Sequence, residues 1–181
     1  MKRMGEITVY WGSMFSGKTS ALIEDLINAG EGAVCFKPLV DNRDPEDLIK
    51  THDGVEFPAT TIKEASQILY ELDYGVTTVG IEEASLFMDD PTLLPTIELL
   101  RNRGLDVIVT GLDMTSEGEP FGQMPHIAAI SDNCLKFHAS CAECTDFASI
   151  SYYKKGKKDT VAVGGADKYL PLCRECWSAK L

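Results

Sequence analysis

Eight consecutive residues constrain this chain more than any other part of it. Gly12, Ser13, Met14, Phe15, Ser16, Gly17, Lys18 and Thr19 fit the phosphate-loop pattern G-x-x-x-x-G-K-[ST]. They follow Ile7, Thr8, Val9, Tyr10 and Trp11, a β-branched and aromatic run that reads as a strand. They precede Leu22, Ile23, Leu26 and Ile27, whose spacing puts an apolar stripe on a helix that ends near Gly30. In that setting the glycines let backbone N–H groups turn inward and the helix N-terminus adds partial positive charge. Lys18 then reaches the terminal phosphates, and the Thr19 hydroxyl faces Mg²⁺. A chance glycine-rich turn needs neither the lysine nor the hydroxyl, so the segment reads as an ATP or GTP site.

Further strands and helices alternate along the chain. Residues 33–37, 76–81 and 106–110 are short apolar runs that read as buried strands. Thr61 and Glu64 have capping-box spacing ahead of a stripe of Ile62, Ala65, Ile68, Leu69 and Leu72, which predicts a helix. Asp90 and Pro91 ahead of Leu93, Leu94, Ile97 and Leu100, with Gly104 beyond, predict another, with Asp90 as N-cap and Pro91 at its first position. Residues 38–53 are polar and aperiodic and read as a loop near the ligand. The pattern is that of an α/β fold, a mostly parallel sheet covered by helices on both faces, with ligands at the carboxyl ends of the strands. After residue 133 the character changes to short polar and β-prone segments with paired cysteines. The chain therefore divides into a nucleotide-binding core, residues 1–133, and a small unit, residues 134–181.

Charge narrows the partners. Against 17 Lys and Arg stand 28 Asp and Glu, a net charge of −11, which repels nucleic acid and anionic membranes; neither is expected as a partner. No apolar run reaches the roughly 18 residues of a membrane helix. The residues before the first strand carry no secretory pattern, so a cytoplasmic location is expected.

Two further clusters carry chemistry. Glu82 and Glu83 follow the strand 76–81; adjacent carboxylates on an extended strand point opposite ways, so one can face Mg²⁺ and the other an acceptor hydroxyl. The plain alternative is a solvated acidic turn. Cys141, Cys144, Cys173 and Cys176 form two C-x-x-C pairs suited to a closed tetrahedral Zn²⁺ site, which makes the metal structural. The interval 145–172 exceeds the roughly 15–20 residues usual in zinc ribbons, so the chain must loop out from the metal and return. A redox dithiol is the alternative. Cys35 and Cys134 read as core residues, not ligands.

These motifs resemble the small zinc-containing thymidine kinases of animal cytosol, many bacteria and large DNA viruses. The resemblance spans nearly the whole chain: the phosphate loop, Lys37 and Pro38 with Asp41 and Arg43, Thr51 to Asp53 with His52, Gly80 to Glu83, and Leu112 and Asp113 with Pro120 to Gly122. It continues through the cysteine pairs and Gly164 to Tyr169. It implies a P-loop (RecA-like) core, a C-terminal zinc-anchored lasso closing over the nucleoside, and ATP-dependent phosphorylation of the thymidine 5′-hydroxyl. By the same resemblance Glu83 is the catalytic base, Arg43 stabilises charge near the transferring group, and Thr19, Glu82 and Asp41 serve Mg²⁺ directly or through water. Met14, Leu112 and Phe121 line the methyl side of the base; Leu86 lies at the pocket. Ser151, Ala162, Val163 and Gly164 meet the pyrimidine or deoxyribose, and Tyr169 closes the site. A homotetramer and feedback inhibition by dTTP are implied too.

Several positions depart from that family's pattern. Glu82 stands where Asp is usual; its extra methylene changes metal reach, toward water-mediated Mg²⁺ or toward Mn²⁺. Ser85, Leu86 and Ser116 replace a glutamine and two aromatics, which widens the expected base pocket and brings deoxyuridine in as a co-substrate. The reading from another class is a P-loop ATPase or GTPase switch with a zinc knuckle for a macromolecular partner; a third is a non-catalytic nucleotide-binding remnant.

Overall fold

The computed structural model describes residues 3–41, 43, 47–51, 53–154 and 163–181. In chain order the elements are β1 Ile7–Gly12, α1 Lys18–Ala29, β2 Ala33–Pro38, β3 Leu48–Lys50, β4 Glu56–Pro58, β5 Thr60–Ile62, α2 Ile68–Glu71, β6 Thr78–Ile81, α3 Leu93–Asn102, β7 Asp106–Gly111, α4 Met124–Ile130, β8 Asn133–Phe137, β9 Ala139–Ser140, β10 Phe147–Ala148, β11 Ile150–Tyr153, β12 Tyr169–Leu172 and α5 Arg174–Ser178. Six strands form one sheet in the order β5-β2-β6-β7-β1-β8, every neighbouring pair parallel. Parallel neighbours need crossovers, and these put helices on both faces, as the alternating pattern predicts.

Strand alternation sorts the core into two layers. Ile7, Val9, Val79, Ile81, Val107 and Val109 pack with Leu93, Ile97 and Leu100 of α3 and with Met124 and Ile127 of α4. On the other face Cys35 and Ile108 meet Leu22, Ile23 and Leu26 of α1. Gly80 belongs to this second face: a Cβ there would lie 3.0–3.1 Å from the Leu26 and Leu22 methyls, so its absence lets α1 sit close to the sheet. Ile27, expected on the buried stripe, is exposed. No helix among the described residues is long and apolar enough to cross a membrane.

The segment 60–72 differs from its expected helix. Thr60, Thr61 and Ile62 join the sheet edge as β5, as β-branched residues favour. The capping box sits three residues later: the Glu64 side chain accepts from the backbone N–H of Gln67, whose Oε1 accepts from the N–H groups of Lys63 and Glu64 at 2.7 and 3.0 Å. The helix proper is one short turn, α2. Asp90 also differs. It organises the turn before α3, accepting from Thr92 N at 2.8 Å and from Ala65 N at 2.6 Å, while Thr92 occupies the N-cap position and Pro91 lies before the helix. Residues 38–53, read as loop, contain β3, which pairs antiparallel with β4. Cys134 lies exposed on β8, not in the core.

The last strand of the large sheet, β8, begins at Asn133 and runs on to Phe137. Beyond it β9 pairs with β10 and β11 with β12, both antiparallel, around a small core of Ala139, Cys141, Ala148, Leu172 and Cys173.

Candidate active site

The phosphate loop leaves β1 at a point where only glycine fits. Gly12 has φ 143°, and a Cβ there would fall 2.0 Å from the Phe137 carbonyl oxygen of β8. The loop then closes on itself: Lys18 Nζ donates to the Ser13 carbonyl at 2.7 Å and approaches Ser16 Oγ at 3.5 Å, while Ser16 Oγ donates to the same carbonyl at 2.7 Å. Burial lowers the Lys18 pKa, against the pull of Glu83, Glu82 and Asp113. A buried ammonium resting on a carbonyl is poised to exchange it for phosphate oxygens.

The loop is also tied to the C-terminal unit. Met14 N–H donates to Ser151 Oγ at 2.9 Å, and Ser13 Oγ donates to the Ala148 carbonyl at 3.3 Å. Phe15, in a left-handed conformation at φ 62°, packs against the core that contains Cys141 and Cys173.

Glu82 continues the alternation of β6 and faces α1, where Thr19 Oγ1 donates to its Oε1 at 2.5 Å and Thr110 Oγ1 donates to its Oε2. Burial, then the charge of Glu83, raises the Glu82 pKa; the two hydroxyl bonds oppose this. Glu83 does not project to the opposite face, as an extended residue would. It adopts φ 49° and ψ 44°, and this left-handed turn brings its carboxylate to the cavity that Glu82 also lines. Arg43 Nη2 donates to Glu83 Oε1 at 2.8 Å, and its Nε and Nη2 hold the two Asp41 oxygens at 2.6 and 2.7 Å. Glu83, foremost, raises the Arg43 pKa. Burial disfavours the Asp41 anion, but Arg43 outweighs it and the Asp41 pKa falls below its usual range.

Lys18, Thr19, Arg43, Glu82 and Glu83 share one cavity of about 630 Å³, lined also by residues 14–17, Ser20, Lys50, Thr51 and residues 163–168; Gly12, Ser13, Asp41 and Thr110 are not part of its wall. Met14, Val163 and Gly164 of the expected nucleoside set are on its wall. Leu86, Leu112, Phe121, Ser151 and Tyr169 fall outside that lining. Phe121, Ser151 and Tyr169 are buried, Ser151 is engaged with the phosphate loop, and the Tyr169 ring lies 5.3 Å from that of Tyr153. Leu112 N–H donates to Ser85 Oγ at 3.2 Å, which joins the turn after β6 to the end of β7. Ala162, His52 and the lysines 155, 157 and 158 lie outside the described residues. Sequence reasoning missed Lys50 and Thr110. Nothing in an aperiodic segment pointed to Lys50, whereas a lone hydroxyl closing an apolar strand was a signal for Thr110.

The Sγ atoms of Cys141, Cys144, Cys173 and Cys176 all lie within 4.8 Å of one another. Cys173 N–H and Cys176 N–H donate to Cys141 Sγ and Cys173 Sγ at 3.3 and 3.4 Å. Burial raises the Cys141 pKa, but backbone N–H bonds overcome it and bring the thiol down to about 6; at Cys144 a backbone bond from Asp146 lowers the pKa but the neighbouring thiols raise it overall, and at Cys176 the Cys173 and Cys144 thiols raise it. Four convergent sulfurs with N–H donors behind them fit tetrahedral Zn²⁺.

A family model described as thymidine kinase matches residues 5–177. The chain belongs to the thymidine kinase family. A thymidine kinase of Bacteroides thetaiotaomicron is 40% identical over 179 residues, 97% of this chain and 88% of that protein. One of Porphyromonas gingivalis is 38% identical over 178 residues, 97% and 86% respectively. One of Rhodothermus sp. is 39% identical over 177 residues, 96% and 82%. As a thymidine kinase family member the chain is a transferase. Its phosphate loop and its paired glutamates, separated in sequence by about sixty residues, face one cavity.

Proposed function

We propose that this chain transfers the γ-phosphoryl group of ATP to the 5′-hydroxyl of thymidine, giving dTMP and ADP. The observation that carries the reading is Glu83: its carboxylate, turned by a left-handed backbone and gripped by Arg43, shares a cavity with the phosphate loop. Glu83 accepts the hydroxyl proton as the thymidine 5′-oxygen bonds to Pγ. The bond from Pγ to the β–γ bridging oxygen breaks, the electron pair leaves on ADP, and the proton passes from Glu83 to solvent. Arg43 sits between Glu83 and Asp41, placed to meet negative charge on the transferring group. Residues 12–19 bind the phosphates, with Lys18 exchanging the Ser13 carbonyl for phosphate oxygen. In such a loose transition state the protein's contribution is positioning and charge.

The oxygen donors of Thr19 and Glu82, with Asp41 in an outer position, suit Mg²⁺, a hard cation. A metal held there would neutralise phosphate charge. Met14, Leu86, Leu112 and Phe121 are assigned to the base, and Ser151, Ala162, Val163, Gly164 and Tyr169 to the lasso side of the pocket. Zn²⁺ on the four cysteines anchors that segment. Cytoplasmic residence and a homotetramer complete the proposal.

Product identification by chromatography and mass spectrometry tests it. The protein is incubated with ATP and Mg²⁺, with and without thymidine, deoxyuridine or deoxycytidine. We expect dTMP with thymidine, a lesser yield of dUMP with deoxyuridine, and no product with deoxycytidine. ADP formed equally without any nucleoside would establish an ATPase instead. In the same assay saturating dTTP is expected to suppress the initial rate, by filling the nucleoside pocket with its phosphates directed toward the donor site. An unchanged rate would remove dTTP as an inhibitor.

A further inference from the structure

We propose that Thr110 is a positioning residue for phosphoryl transfer, its one hydroxyl setting the placement of Glu82 relative to Glu83. The proposal rests on the transfer reading given above. Thr110 is the penultimate residue of β7, the strand that separates β6, which delivers the two glutamates, from β1, which delivers the phosphate loop. Val109 is the register partner of Ile81, so the next residues along, Thr110 and Glu82, stand side by side on the face that α1 covers. A hydrophobic residue would suit a buried strand position with 1% exposure better, unless its neighbours needed a hydroxyl.

Both neighbours use it. The Thr110 hydroxyl hydrogen goes to Glu82 Oε2, and its oxygen accepts the Glu83 backbone N–H at 3.1 Å. Thr19 takes the other Glu82 oxygen at 2.5 Å, so the carboxylate is held at both ends and its plane is fixed between the start of α1 and the end of β7. The bond to Glu83 falls at one of the two non-glycine residues, among those described, with a left-handed backbone. A left-handed conformation is unfavourable for a non-glycine residue, and a buried N–H there needs a partner. One side chain thus supports the turn that aims Glu83 and orients the carboxylate beside it. Because the hydroxyl donates in one direction and accepts from the other, moving either glutamate disturbs its bond to the second.

The test compares Thr110→Val, which keeps the volume and loses the hydroxyl, with Thr110→Ser, which keeps the hydroxyl. Misplacement by about 1 Å costs up to roughly 10²-fold in rate. We expect Thr110→Val to lower kcat by about 10–100-fold while KM for ATP and for thymidine stay within about threefold. Thr110→Ser should return kcat to within about threefold of the parent. Amide hydrogen exchange at Glu83 in the ligand-free protein reads the geometry apart from turnover; its protection should fall at least about tenfold in Thr110→Val and persist in Thr110→Ser. If Thr110→Val does not fold, Thr110→Cys, whose thiol makes longer and weaker bonds, is expected to lose at least about fivefold in kcat. Folded Thr110→Val or Thr110→Cys with parental kcat and unchanged Glu83 protection would overturn the proposal. So would a Thr110→Ser variant as slow as Thr110→Val, since packing and not the hydroxyl would then be the cause. A parent protein without thymidine-dependent ADP formation would overturn the kinase reading itself, and lost Glu83 protection in Thr110→Val would still support the geometric role.

Discussion

Glu83→Gln is expected to lower kcat about 10²–10⁴-fold, the range for loss of a positioned proton acceptor. The substitution keeps the side chain's size, and its amide oxygen can still accept from Arg43, which now holds Glu83 Oε1 at 2.8 Å. What it removes is the ability to take the hydroxyl proton. Lys18 donates to the Ser13 carbonyl and approaches Ser16, and Thr19 donates to Glu82, so the groups that hold phosphate keep these bonds in the variant and ATP affinity should change by less than about threefold. Steady-state kinetics and a direct ATP-binding titration on the same preparation separate the two effects. A variant whose kcat stays within about threefold of the parent would remove Glu83 as the base. A variant that loses ATP binding along with turnover would recast it as a nucleotide-binding group.

Cys173→Ser is expected to abolish stoichiometric zinc and to impair both substrates. A structural zinc site supplies on the order of 10–16 kcal/mol of folding free energy, more than a unit of this size holds by its own packing. Two separate modules would confine the damage to the nucleoside. The contacts seen here extend it to ATP: Met14 N–H rests on Ser151, Ser13 on the Ala148 carbonyl, and Phe15 on the core beside the cysteines. Each such hydrogen bond contributes about 0.5–1.5 kcal/mol, so ATP affinity should fall roughly two- to tenfold. The thymidine kcat/KM should fall by more than about 100-fold as the lasso side loses its anchor. Metal content by mass spectrometry, ATP titration and kinetics measure the three. Full zinc occupancy in the variant would contradict the ligand assignment, and unchanged ATP affinity would show that the phosphate loop holds its shape alone.

Much of the fold was legible because its elements obey simple periods. The runs ahead of Gly12 and Pro38, and those ending at Ile81 and Gly111, are apolar and short, and the stripes of Leu22, Leu26, Leu93, Ile97 and Leu100 repeat at helical spacing. The phosphate loop was legible as a motif whose context agreed with it. What escaped notice involves features that periodicity does not carry. Capping-box spacing occurs at Thr61 and again at Glu64, and only strand pairing of Thr60–Ile62 with β2 decides between them. The β3 and β4 strands are three residues each, too short for alternation to register. The turn at Glu83 breaks alternation at one residue, in a conformation glutamate rarely adopts, so two carboxylates expected on opposite faces meet in one cavity. The resemblance supplied the roles of Glu83 and Arg43; the bridge from Arg43 to both Asp41 and Glu83 came from the structure.

The proposed transfer takes a phosphoryl group from ATP to a thymidine hydroxyl within one cavity. Tracing ATP labelled at the γ-phosphate, with thymidine in excess, measures this directly. The label is expected to appear in dTMP in step with ADP, one for one, and ADP formation should nearly stop when thymidine is withheld. Label released as inorganic phosphate at the same rate with or without thymidine would contradict it.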